Sequence, residues 1–316
     1  MLMLCAPFVL QFSRLRTLDR TEIPPLIVLD LDAEPRDICV GELPPCPVIG
    51  IGPRDHPLAS HLDVIVESPF SIGQLIDSIL ANPFSATICV QLLRLIAHLP
   101  VREALVAESL AMSTLQGGAE HHAWLAARGE APEWPPGQLQ MSRENNVLHL
   151  VIDRPAAWNA IDVSLRDGLR EAFDLAVLDD SIARIELSAV GRAFGTGAEL
   201  GEFGTTTDPV AAHGIRLQTL PAHAIVACPA RLHVSVQGLC MGSSLELAAF
   251  ADRMTARSSA IFHLPELKMG LIPGAGGCVS LSRRIGRQRA ALLMLSGRRI
   301  GARTALDWGL VDAIID

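Results

Sequence analysis

The chain has 316 residues, enough for one large domain or two modest ones, and 49% of them are apolar, which supplies ample core material. Its formal charge of −8, with no basic cluster, argues against nucleic acid as a partner. Gln91, Arg94 and His98 interrupt the greasiest stretch, so no transmembrane helix and no membrane partner are expected.

The opening MLMLCAPFVLQFSR lacks a basic n-region and a small-residue cleavage site, which argues against a signal peptide. Residues 25–31, 47–51 and 63–66 look like short strands of a small α/β segment spanning 1–66, whose role the sequence leaves open. A helical region is expected over 67–136. Ile88, Leu92, Leu95, Ile96 and Leu99 form an apolar stripe in it, and Gly117–Gly118 separates a helix near 102–115 from one near 119–128. The Pro-rich EAPEWPPGQ (130–138) marks a linker.

From 137 to 316 strands and helices alternate, which predicts a layered α/β core. Residues 147–153 are strand-like, and Asp162 is placed to cap a helix carrying Leu165, Leu169, Phe173 and Val177 on one face. Residues 183–189 alternate, with Ala183, Ile185, Leu187 and Ala189 expected inward. Leu232, Val234 and Val236 repeat that period of two. Helices are expected near 243–251, 287–296 and 303–308, with Gly297 and Gly309 as C-terminal stops. Cysteines 5, 39, 46, 89, 228, 240 and 278 are odd in number and scattered without a C-x-x-C pair. They read as buried thiols in a reducing cytoplasm, not as disulfides or a zinc site.

Two glycine-flanked turns carry the chemistry. Gly195-Thr196-Gly197-Ala198-Glu199-Leu200 leaves the Ala198 N–H free to meet a ligand. Met241-Gly242-Ser243-Ser244 follows a strand and enters a helix, so the Ser243 N–H sits at a positive helix end. A plain strand-to-helix turn, or N-capping by Ser243 or Ser244, would produce the same letters. Glu246 follows among Leu245, Leu247, Ala248, Ala249 and Phe250, a costly place for a carboxylate unless it is paired or functional. Its bland alternative is a solvated acid near a helix N-terminus; that of Glu266, after Pro265, is an exposed acid paired with Lys268. His263 is either part of an acyl pocket or a packed core histidine. His121 and His122 lack a second ligand pair, so no metal is expected.

The segments GRAFGTGAELGEF (191–203), VQGLCMGSSLELAAFAD (236–252) and FHLPELKMGLIPGAGG (262–277) resemble the enoyl-CoA hydratase/isomerase (crotonase) family. The resemblance implies an α/β fold with a crotonase-like ββα superhelix core. It also implies an enoyl-CoA hydratase acting through an oxyanion hole, with Ala198 and Ser243 as donors and Glu246 and Glu266 as catalytic residues. Each donor would be worth ~3 kcal/mol and each acid–base group ~10²–10⁴ in rate. Asp153-Arg154-Pro155-Ala156-Ala157-Trp158-Asn159-Ala160 matches the family's N-R-P…N-A motif. Ala156, Ala157, Ala160, Gly197, Glu199 and Leu200 are thereby implied to bind coenzyme A, here part of the thioester substrate and not a separate cofactor. Glu199 stands where the family has Asp, Gly201 where a Lys is frequent, and two serines where three glycines are usual.

Members finish with a helical tail after a segment like ALDWGLVDAIID, which here ends at Asp316, whereas residues 99–134 resemble such a tail. The expectation is a tail placed N-terminal to the core, by circular permutation or fusion, with Asp316 near residues 64–70. The resemblance further implies a homotrimer or hexamer. Rival readings are another acyl-CoA reaction of the family (double-bond isomerase, thioester hydrolase) or a non-catalytic CoA-binding subunit.

Overall fold

The computed structural model describes residues 7–15, 23–37 and 41–316; the opening tetrapeptide, Cys5 and Cys39 lie outside them. After the short helix α1 (Phe12–Leu15), a parallel sheet forms in the order β1 (Ile27–Asp30), β2 (Val48–Ile51), β3 (Val64–Ile65). Its strands are nearly continuous apolar runs because both faces are covered. Four helices follow: α2 (Ile72–Ala81), α3 (Pro83–Ile96), α4 (Val101–Gln116) and α5 (Ala119–Ala127). Pro83 opens α3 at the position where a missing N–H costs nothing. The buried face of α3 is Ala86, Cys89, Val90, Leu92, Leu93 and Ile96, so the predicted stripe is rotated and Leu95 is exposed. The core approaches α3 from two sides, through α11 and α10 described below, and a stripe drawn from the sequence cannot choose between them. Among the described residues no single helix is long and apolar enough to cross a membrane.

The rest of the chain builds two sheets. The larger has the order β12 (Ala313–Ile315), β9 (Arg253–Arg257), β7 (Arg231–Val236), β6 (Arg184–Ala189), β5 (Val147–Asp153), β4 (Gln138–Glu144); only the β4–β5 pair is antiparallel. The smaller has the order β11 (Ile300–Gly301), β10 (Ile261–His263), β8 (Leu239–Met241). Two turns of the chain repeat one plan. β7 runs in the large sheet, β8 in the small one, then helix α9 (Gly242–Ala248); β9, β10 and then α10 (Gly277–Ile285) do the same. This is the ββα superhelix. Helices α6 (Val163–Leu178), α7 (Pro209–Thr219), α8 (Pro221–Ile225), α11 (Arg287–Ser296) and α12 (Ala302–Asp307) complete it.

Asp162 caps α6 by accepting the Leu165 N–H at 2.9 Å. Leu165, Leu169 and Phe173 are buried beneath it while Val177 is half-buried; full burial of a side chain such as Phe173 contributes about 1.5–3 kcal/mol. Ile185 and Leu187 point into the core, but Ala183 is exposed and Ala189 half-buried. Ala183 precedes the strand and lines an open depression at that end of the sheet. Gly297, left-handed at φ +54°, ends α11 as expected.

The upstream elements dock on the core. Phe70 stacks on Trp308 with centroids 5.4 Å apart, eight positions before Asp316. Asp63, fully buried, binds Arg94 through Nε at 2.8 Å and Arg287 of α11 at 3.1 Å. Removing Asp63 would strip both guanidiniums of their shared buried partner, at a cost of about 3–5 kcal/mol.

Candidate functional site

The parallel β8–β10 pairing sets Met241 beside His263, so the start of α9 and the turn at Glu266 leave the small sheet side by side. Turn one is tied to the same edge: the Met241 N–H donates to Gly195 O at 2.9 Å, and the Ile161 N–H to Gly197 O at 2.8 Å. Gly197 (φ +96°) faces Gly242 (φ +47°), and a Cβ on Gly197 would lie 3.3 Å from the Gly242 Cα. Only residues without side chains allow that approach. It leaves two backbone donors pointing into one space. Among the described residues, neither the Ala198 nor the Ser243 N–H has a protein acceptor, and both residues line a cavity of 240 Å³. Ser244 does not cap α9: its Oγ accepts the Gly197 N–H at 3.3 Å, binding one turn to the other. The Ser243 hydroxyl is buried without a partner and does not cap the helix either.

Both glutamates line this cavity and both are buried, Glu246 at 2% exposure and Glu266 at 8%. The solvated alternatives for them are thus not what the fold provides; Lys268 is exposed and forms no ion pair with Glu266. Their environments differ. Glu246 Oε2 accepts the N–H groups of Ala275 (2.7 Å) and Gly277 (2.8 Å) at the start of α10. Burial pushes its carboxyl up to about 7, and those two hydrogen bonds oppose the rise by favouring the anion. Glu266 Oε2 has no hydrogen-bond partner. Burial, and then the charge of Glu246, hold Glu266 well above the usual carboxylate range. Two carboxyl groups in one site with different hydrogen bonding are suited to opposite proton roles.

A third glutamate, not anticipated from the sequence, lies buried behind the cavity lining on the upstream side. Glu108 of α4 is 1% exposed and accepts the N–H groups of Gly276 (2.6 Å) and Val279 (3.2 Å). Burial and the Glu246 charge raise its carboxyl well above the usual range. Glu246 and Glu108 therefore grip alternate N–H groups of one stretch, residues 275–279, where the chain enters α10. The sequence did carry a signal: Glu108 falls in the buried stripe Ala104, Leu105, Met112, Leu115 at helical spacing. Met112 and Gln116 of the same helix, and Ile215 and Arg216 of α7, also line the cavity.

Of the remaining predicted residues, Gly197, Glu199 and Leu200 line the cavity. The Glu199 carboxylate is engaged by Arg154 Nη1 at 2.7 Å. Ala156, Ala157 and Ala160 are outside the cavity lining; Ala156 is exposed, Ala157 buried and Ala160 half-buried. They belong to the segment that enters turn one through Ile161. Asn159, buried, accepts the Arg154 N–H and donates to the Val190 and Ala193 carbonyls at 2.8 Å each, so it holds that segment in place. Arg192 lies over the half-exposed Trp158 ring at 5.1 Å. His263 binds Gly297 O at 2.9 Å and lies outside the cavity lining, as a packed histidine would. No cluster of three potential metal-binding side chains occurs among the described residues. A larger, open depression of 740 Å³ lies at the opposite ends of β6, β7 and β9, lined by Arg184, Arg231 and Arg253 among others, and holds neither glutamate.

Residues 142–316 match the family profile Enoyl-CoA hydratase/isomerase. The chain is 34% identical to 2,3-dehydroadipyl-CoA hydratase of Escherichia coli (strain K12), over 56% of this chain and 69% of that one. It is 32% identical to mevalonyl-coenzyme A hydratase of Beauveria bassiana, over 54% and 64%. The chain thus spans about two thirds of these relatives' length. Among solved structures, enoyl-CoA hydratase from Thermoplasma volcanium superposes with a TM-score of 0.51 at 31% identity, covering 56% of this chain and 71% of that one.

Proposed function

This chain belongs to the enoyl-CoA hydratase/isomerase family, and we propose that it adds water across the double bond of a 2-enoyl-CoA thioester. The observation that carries this reading is the pair of buried glutamates of unlike environment beside two unpaired backbone donors. The thioester oxygen sits between the Ala198 and Ser243 N–H groups, which strengthen their hold as negative charge develops on it. Glu246, whose anion is supported by the Ala275 and Gly277 N–H groups, takes a proton from water as the hydroxyl bonds to Cβ. The π electrons move onto the thioester as an enolate. Glu266, which burial and Glu246 keep protonated, gives its proton to Cα. A proton shared back from Glu246 to Glu266 restores the starting state. Having two carboxyl groups favours hydration over double-bond migration, which needs one group to move a proton between carbons. A homotrimer or hexamer is proposed on the family resemblance.

The test is loss of the conjugated-thioester absorbance with crotonyl-CoA, for the wild type, Glu246→Gln and Glu266→Gln. Turnover in the wild type that collapses in both variants is expected. Retained turnover in either variant, or a shifted double bond without added water, would replace hydration by isomerisation.

A further inference from the structure

Arg216 is the anomaly of the cavity wall. Arg94, Arg154, Arg284 and Arg287, all largely buried, each pair with a carboxylate. Arg216, half-buried, pairs with none among the described residues. Its side chain is held by neutral acceptors only. Nε donates to Ser109 Oγ at 3.0 Å, Nη1 to Gln116 Oε1 at 2.7 Å, and Nη2 to Ser109 O at 3.1 Å and to Ser113 Oγ. His213, beside it on α7, also binds Ser109 Oγ, at 2.9 Å. A guanidinium has five N–H groups; one on Nη1 is left without a protein acceptor.

That cation cannot be discharged at neutral pH, since burial lowers it only to about 10. Glu108 acts on it only through its field and makes no ion pair with it, its oxygens being bonded to the Gly276 and Val279 N–H groups. The other acids of the wall are also committed. Glu199 pairs with Arg154, Glu202 accepts the Val163 N–H at 2.9 Å, and Glu246 and Glu266 belong to the reaction. The nearby lining from Met112, Phe203, Ile215, Leu220 and Ile272 is apolar. A half-buried guanidinium without a carboxylate partner among the described residues, with one N–H to spare on the wall of a partly apolar cavity, is suited to receive an anion from the substrate.

We propose that Arg216 receives a terminal carboxylate of the acyl chain, so that the preferred substrates are ω-carboxylated 2-enoyl-CoA thioesters. This rests on the hydratase reading of the same cavity. Ser109, Ser113 and Gln116 of α4 orient the guanidinium, which makes the upstream helix part of the specificity device. A simple alkenoyl chain would bury the cation with nothing opposite it, and discrimination of that type runs to 10-fold or more, roughly.

The experiment compares two thioesters of equal chain length, hex-2-enoyl-CoA and hex-2-enedioyl-CoA, in wild type, Arg216→Met and Arg216→Lys. The wild type is expected to favour the carboxylated substrate in kcat/KM by about 10-fold or more. Arg216→Met should bring that ratio to one or below, and Arg216→Lys should restore part of it. In parallel, calorimetric binding of the saturated pair, adipyl-CoA and hexanoyl-CoA, reads the same preference without turnover. Absence of turnover with retained preference in binding would remove the hydratase reading and keep the Arg216 assignment. No preference in the wild type would overturn the assignment. So would an equal loss for both thioesters in Arg216→Met, which would mark a contact to the coenzyme A phosphates or a staple between α7 and α4.

Discussion

The cavity wall has two halves built on different plans. The core half delivers its groups at the ends of strands: Ala198 beside Ile161, Ser243 two residues after β8, Glu266 three residues after β10. Their spacing is set by hydrogen-bond register over a few residues, and glycines let the backbones touch. The upstream half delivers Met112 and Gln116 to the wall from one helix face, and Glu108 on the same face bonds Gly276, 168 positions away in the chain, from behind the lining. Strand ends thus place the two backbone donors and Glu266, whereas a docked helix shapes what surrounds them. A site can keep its chemistry on the first plan while its substrate preference is set by the second.

The largest expected effects lie on the core side. Glu246→Gln and Glu266→Gln should each lower kcat by ~10²–10⁴, with the fold retained by circular dichroism. A smaller loss would mean that these two carboxyl groups are not the reacting ones.

Glu108→Ala tests whether the upstream helix also steadies the backbone behind the cavity. It leaves the Gly276 and Val279 N–H groups without their acceptor, at a cost of about 1–3 kcal/mol per buried group. The stretch 275–279, which also carries the donors to Glu246, should then lose its position. The expected result is a fall in kcat of roughly 10-fold or more with little change in KM, since a misplaced acid–base group costs far more than its own contacts. Equal kcat at reduced melting temperature would confine Glu108 to a structural role.

pH separates the halves more finely. Glu246 has a folded value near 7 against an ordinary 4.5. The native state therefore holds an extra proton between those values. Its protonation stabilises the fold fully below 4.5, and that stability is lost as pH rises through 7. The shift corresponds to about 3 kcal/mol, to which the raised Glu108 and Glu266 add in the same direction. Melting temperature should fall from about pH 5 to about pH 8 in the wild type, and fall less in Glu246→Gln. Activity should run the other way on its acid side, rising through about 7 as Glu246 ionises, and decline at higher pH as Glu266 loses its proton. An activity profile flat across neutral pH would break the assignment of roles.

The smallest effect is expected at Ser243. Its donor is the main-chain N–H, so Ser243→Gly should change kcat by less than about 3-fold, because the oxyanion contact is unaltered. A large loss would show that the buried hydroxyl, and not the backbone, serves the site.

The core half was the more legible one. Ala198, Ser243, Glu246 and Glu266 sit in contiguous motifs whose letters reflect local demands: glycine for left-handed backbone, and a carboxylate set in an apolar helix. The exposed Leu95 and Ala183 show where local pattern fails. Each is apolar and in phase with its element, yet no partner surface reaches it. The two serines of turn two illustrate the same limit. Capping is a local preference, but Ser244 instead bonds the Gly197 N–H from another turn.

Order along the chain, periodicity and turn chemistry are short-range quantities, so the sequence by itself determined the alternating core, the helical upstream region, the two glycine turns and the pair of glutamates. Burial, pKa and the identity of a neighbour are set by whatever packs on the other side, and only the tertiary structure decided those. It placed Glu108 on the same backbone stretch that holds Glu246, left Arg216 without a carboxylate partner among the described residues, and gave Glu246 two N–H donors while Glu266 Oε2 has none. Desolvation depends on the whole surroundings of a group, and those surroundings come from segments that meet only when the chain is folded.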